Sequence, residues 1–91
     1  MVFIFPMFTV RYCKQSAKTL RKMPSGIASK IQAAMLNIAK NQTAYRGDWK
    51  RLEGTDFWRL RIGGWRAVCD VQNGELVILV LKIAPRGDAY K

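Results

Sequence analysis

Ninety-one residues, 49% of them hydrophobic, make one domain with one modest core and are too apolar for a disordered tail. Sixteen Lys and Arg against six Asp and Glu leave a formal charge of +10. So high a density implies a polyanionic partner, nucleic acid first and an acidic neutralising protein second. No apolar run approaches the roughly 20 residues of a spanning helix, so no membrane partner is expected. There is no histidine and there are only two cysteines, Cys13 and Cys69, so no metal and no other cofactor is expected.

The chain opens on an apolar stretch, MVFIFPMFTV, without a basic n-region or a small-residue cleavage site. It does not read as a signal peptide, which points to a cytoplasmic protein with reduced thiols. Met7 is a candidate start with residues 1–6 as an extension; an extra piece of the first strand is the other reading. Phe8 to Tyr12 is aromatic and β-branched and predicts a strand. Lys14 to Met23 predicts a short helix, with Ala17 and Leu20 on one side and Lys14, Lys18, Arg21 and Lys22 on the other. Pro24, Ser25 and Gly26 break it. From about Ser25 to Lys40 a second helix follows, with Ile27, Ile31, Ala34, Met35 and Ile38 at three- and four-residue spacing. Asn41 to Thr55 shows no sustained period and reads as a loop carrying Arg46, Lys50 and Arg51.

From there the period is two. Phe57 to Ile62 and Trp65 to Val71 are strands around Gly63-Gly64. Gln72 to Glu75 centres on Asn-Gly, a strong hairpin signal. Leu76 to Ile83 reads as a central strand, nearly all apolar apart from Lys82, and Ala84 to Lys91 is a tail. The expected fold is therefore α+β, in the order β-α-α-β-β-β. A helical hairpin covers one face of a mainly antiparallel four-stranded sheet, in a single domain over 1–91.

Two-residue turns at Gly63-Gly64 and Asn73-Gly74 would set the register. Arg61 then faces Arg66, and Cys69 faces Trp58 on one side and Ile78 on the other. Trp58, Leu60, Ile62, Trp65, Ala67, Cys69, Val71, Leu76, Ile78 and Val80 share the helix-facing side. Arg59, Arg61, Arg66, Val68, Asp70, Val77, Leu79 and Leu81 share the open side. Like charges directly opposite one another destabilise a sheet. Arg61 beside Arg66, with Arg59 two residues along, therefore reads as an anion site rather than as a solvated face. The apolar members of that side suit stacked bases or a partner helix.

These residues resemble a known family. The element order, the segment Lys50-Arg51-Leu52-Glu53-Gly54, the run Trp58 to Val68 and the close Arg86-Gly87-Asp88-Ala89-Tyr90 are similar to the RelE/ParE superfamily of toxins from type II toxin–antitoxin systems. The similarity runs from about Met7 to Tyr90. The resemblance implies the RelE-like fold. It also implies either a ribosome-dependent endoribonuclease that cleaves mRNA in the A site, as in RelE-type members, or a DNA gyrase inhibitor, as in ParE-type members. A degenerate toxin that only binds its antitoxin is a third class.

In RelE-type members the site comprises basic residues matching Arg59 and Arg61, an arginine matching Arg66, and an arginine and tyrosine matching Arg86 and Tyr90. The implied partners are a cognate antitoxin, the ribosome and mRNA, with operator DNA reached only through the antitoxin. Lys14, Lys18, Arg21, Lys22, Arg46, Lys50 and Arg51 would then contact ribosomal RNA. Arg61 and Arg66 would clamp the scissile phosphate, because forked guanidiniums match phosphate geometry. Several relatives carry lysine at the Arg59 and Arg61 positions. Arginine does not deprotonate, so the base would be Tyr90, with Glu53, Asp56 or Asp88 as substitutes.

Overall fold

The computed structural model describes residues 7–85. Its elements are β1 (Thr9–Tyr12), α1 (Lys14–Lys22), α2 (Ser25–Lys40), β2 (Asp48–Arg51), β3 (Phe57–Ile62), β4 (Trp65–Gln72) and β5 (Val77–Pro85). The class and order are those expected, with one strand more. The segment expected as a loop contains β2, so the sheet has five strands, in the order β1-β5-β4-β3-β2. Four residues are too few to show a period. What forms β2 is pairing with β3, with Trp49 opposite Leu60 turning its indole toward the core. β1 runs parallel to β5, and the other neighbours are antiparallel.

Both helices cover one face. Ile31, Ala34, Met35 and Ile38 of α2 meet Leu60, Ala67, Cys69, Ile78, Val80 and Ile83 of the sheet in one buried cluster. Ala28 is buried more deeply than the expected Ile27, which packs at the margin. Helix α1 is tied down by a residue that periodicity passes over, Ser16, whose side is fully buried. Its hydroxyl proton is shared between the Val80 carbonyl at 2.8 Å and the Cys13 carbonyl at 2.9 Å. The Val80 carbonyl also accepts from the Cys13 N–H at 3.0 Å. Past Val80, β5 has outrun β1, and the Ile83 N–H donates to Gln15 Oε1 at 3.4 Å. The buried Ser16 hydroxyl thus has partners of its own, and Gln15 satisfies a backbone N–H of β5 that would otherwise cost free energy on burial.

The β3–β4 hairpin has the expected register, from Ile62 opposite Trp65 to Phe57 opposite Asp70. Gly63 takes φ +57 and Gly64 does not turn positive. That is the pattern of a type II′ turn, which needs glycine at its first central position. The β4–β5 hairpin corrects the expectation. Asn73 to Leu76 all lie in the turn, Val71 faces Ile78 rather than Leu76, and Cys69 faces Val80 rather than Ile78. Leu76 takes φ +54 and is 38% exposed, so it does not join the apolar face. A slip of two residues preserves the faces, which is why the apolar side survives the error.

One further irregularity does change the faces. Cys69 pairs with Val80 but Val68 pairs with Lys82, leaving Leu81 as the extra residue of a β-bulge. Strict alternation would send Lys82 into the core with Val80 and leave Ile83 outside. With the bulge, Ile83 is 1% exposed in the core, and Lys82 shares the open face with Val68. Burying an unpaired ammonium costs several kcal/mol, on the order of the stability of a whole small domain, so the order Val-Leu-Lys-Ile demands the bulge.

Candidate functional site

The open face carries two rows of side chains across the four strands from β2 to β5. One row is Asp48, Arg61, Arg66 and Ala84; the other is Lys50, Arg59, Val68 and Lys82. Arg59, Arg61 and Arg66 therefore stand together, as their alternation and the Gly63-Gly64 turn lead one to expect. Two members could not be found by that reasoning. Asp48 enters because β2 exists, and Lys82 enters because β5 bulges. A single lysine in an otherwise apolar strand, on the wrong parity for the surface, was the available sign of the second.

Asp48 changes the electrostatics of the patch. Its Oδ1 accepts from Arg59 Nη2 at 2.9 Å, with side-chain exposures of 36% for Asp48 and 12% for Arg59. The Arg59 hydrogen bond is the main reason the carboxyl stays below its ordinary pKa. Burial opposes it, and the charges of Arg59, Lys50 and Arg61 reinforce it. Arg59 is thus a sunken, oriented cation rather than a splayed surface side chain. Among the described residues its Nη1 is buried with no hydrogen-bond partner. Arg61 sits between Asp48 and Arg66 in its row and, among the described residues, makes no ion pair. Beneath the guanidiniums lies a small dry floor, Val68 and Ala84, both buried, with Leu52 packed against them.

The other basic residues named from sequence lie elsewhere. Lys14, Lys18, Arg21 and Lys22 are exposed on α1, in the layer across the sheet from the arginine rows. Arg46 is exposed before β2, in a recess with Asn37, Lys40 and Tyr45. Arg51 is held by Asp56 at 3.0 Å and by the Thr55 carbonyl at 3.0 Å, so Asp56 is engaged there and not at the arginine rows. Arg86, Asp88 and Tyr90 lie outside the described residues.

The two tryptophans at the β2–β3 edge behave as packing residues. Trp49 and Trp58 stack with ring centroids 5.2 Å apart, and together with Tyr45 and Val71 they line a cleft of about 610 Å³ on the helix side. Burial, and then the nearby Asp48 charge, raise the Tyr45 phenol pKa. Both cysteines are free, and burial pushes the Cys69 thiol up to about 12. Tyr12 is likewise raised to about 12, by burial and then by Cys69. Among the described residues no group of His, Cys, Asp and Glu side chains could hold a metal ion. Nor is any helix there long and apolar enough to cross a membrane.

Comparison with known proteins gives these features a frame. A chain of the archaeal RelE–RelB complex from Pyrococcus horikoshii OT3 superposes with a TM-score of 0.77 at 29% identity, covering 91% of this chain and 99% of that one. A chain of the intact Escherichia coli RelBE toxin–antitoxin complex gives 0.71 at 17% identity, with coverages of 89% and 98%. The YoeB/ParE toxin from Agrobacterium tumefaciens gives 0.73 at 16% identity, with coverages of 87% and 99%. The last two likenesses speak for the fold alone. A search of curated proteins finds no match. The family model described as the ParE toxin of type II toxin–antitoxin systems, parDE, matches residues 10–90, nearly the whole chain, and the chain therefore belongs to that family, within the RelE/ParE superfamily.

Proposed function

We propose that this chain is a single-domain cytoplasmic toxin that cleaves mRNA in the ribosomal A site and is neutralised by a cognate antitoxin, itself the link to operator DNA. The observation that carries this reading is the direct cross-strand pairing of Arg61 with Arg66, beside a buried, carboxylate-oriented Arg59. Two guanidiniums forced together on a sheet are stabilised by an anion between them, and a phosphate fits their forked donors.

Cleavage by an attacking 2′-hydroxyl needs a base, stabilisation of charge on the phosphorane, and a proton for the leaving 5′-oxygen. Arg61 and Arg66 supply the second of these. Arg59, held by Asp48, orients the RNA backbone. Tyr90 is the base and Arg86 stabilises the leaving oxygen, the roles that the resemblance gives them. No arginine serves as base. The ribosome contributes by positioning the mRNA, so activity on naked RNA is low. The α1 lysines and arginine, with Arg46, Lys50 and Arg51, contact ribosomal RNA and steer association.

The test is induction of the toxin without antitoxin, followed by mapping of mRNA ends. Cuts within translated codons are expected, and Arg66→Ala or Tyr90→Phe should relieve growth arrest while leaving the melting temperature near wild type. If both variants arrest growth as strongly as wild type, the assignment of these residues is wrong. The match to the ParE family model favours one second reading, inhibition of DNA gyrase. Intact mRNA with an SOS response would establish it instead.

A further inference from the structure

Resting on the RNA reading above, we propose that the β5 bulge delivers Lys82 as a second phosphate anchor, one nucleotide along the backbone from the phosphate held by Arg61 and Arg66. Lys82 faces Val68, and Ala84 faces Arg66, so Lys82 is the diagonal neighbour of Arg66 on the adjoining strand. Such diagonal positions lie about 7–8 Å apart. Long side chains span that distance, so the Lys82 ammonium extends the basic surface past the direct Arg61–Arg66 pair. It suits the next phosphate of an extended strand.

Arg59 is on the opposite side of Val68, two strand spacings or roughly 10 Å from Lys82. The cations therefore rim the dry floor of Val68, Ala84 and Leu52 rather than crowding one point. A track for a nucleic-acid strand has this form, with positive charges spaced along the path of its backbone. The chemistry of the residue also fits. A guanidinium fork grips one phosphate in a set orientation. An ammonium on a flexible stem serves as a point charge for a neighbour whose orientation varies with sequence. The bulge is what makes this arrangement available, since regular alternation would turn Lys82 to the other face.

The experiment uses the full chain and a short single-stranded RNA that is 2′-O-methylated and so cannot be cleaved. Binding is measured by fluorescence anisotropy over a range of salt concentrations. Each phosphate contact contributes about 0.7 to the slope of log K against log salt for single strands. Lys82→Met should lower the slope by about that amount and weaken binding several-fold, and Lys82→Arg should restore both. Lys30→Met, on the exposed side of α2, controls for simple loss of charge and should move the slope by less than half as much. Lys82→Gln repeats the comparison should the methionine variant fold poorly.

If Lys82→Met tracks Lys30→Met while Arg61→Ala still weakens binding, this proposal is overturned and the RNA reading stands. If Arg61→Ala and Lys82→Met both bind like wild type, the RNA reading fails and the anchor fails with it.

Discussion

In the β3–β4 hairpin two glycines make the turn, and every pair from Ile62–Trp65 back to Phe57–Asp70 follows in step. In the β4–β5 hairpin four residues turn, and the pairing slips between Val68 and Cys69. The first hairpin takes its register from local geometry: Gly63 at φ +57 leaves the strands one way to meet. The second takes its register from burial. Its turn forces Leu76 into a left-handed backbone, and its bulge exchanges Lys82 for Ile83 in the core. Where a turn is tight, the chain is positioned from its end. Where it is loose, the core selects which side chains it accepts.

Four comparisons probe this contrast, beginning with the largest effect. Ile83→Ala should destabilise the protein by about 2–5 kcal/mol in urea melts, as for a fully buried isoleucine, while Lys82→Met stays within about 0.5 kcal/mol. A cheap Ile83→Ala together with a stabilising Lys82→Met would mean that the bulge does not exist. Gly63→Ala should cost about 1–3 kcal/mol through backbone strain alone, because nothing lies within 4 Å of an added Cβ. Gly64→Ala, also in open space but without a positive φ, should cost under about 0.5 kcal/mol, and a reversed order would identify a different turn.

Leu76→Gly should stabilise the protein by up to about 1 kcal/mol, since it relieves a strained φ at an exposed side chain. A lower melting temperature would show that Leu76 contributes contacts outweighing that strain. The smallest effect concerns Asp48. Its folded pKa is lowered, so its contribution to stability is present above its unfolded value of about 3.9 and is lost as pH falls through the folded value. Solvent screening keeps the contribution small. The stability gap between wild type and Asp48→Asn should close on acidification in that window, and a gap that persists at lower pH would assign the effect to something other than the Arg59 pair.

How much was legible in the sequence follows from the same contrast. The helices were legible because apolar residues recur over several turns of α2, and the Arg59–Arg61–Arg66 cluster was legible because a glycine pair fixes its strands. β2 was not, because four residues hold no period and its pairing comes wholly from β3. Asp48 stayed hidden with it, though it orients Arg59. The slip in the last hairpin was hidden by an Asn-Gly signal that the folded chain does not use at its two-residue length. Ser16 was unreadable for another reason: a polar residue on the inner side of a helix is explained only by a carbonyl 64 residues away.

That serine contact also bears on the order in which the protein folds. β1 sits at the sheet edge with β5 as its neighbour, and the hydroxyl of α1 is satisfied by that same strand. The first helix is therefore completed by a carbonyl 64 residues further along. Contacts of such separation carry a loop-closure cost and form late in folding. Until β5 has joined, the sheet cannot close or bring Lys82 beside Arg66, so the basic surface arises as the fold is completed and not before.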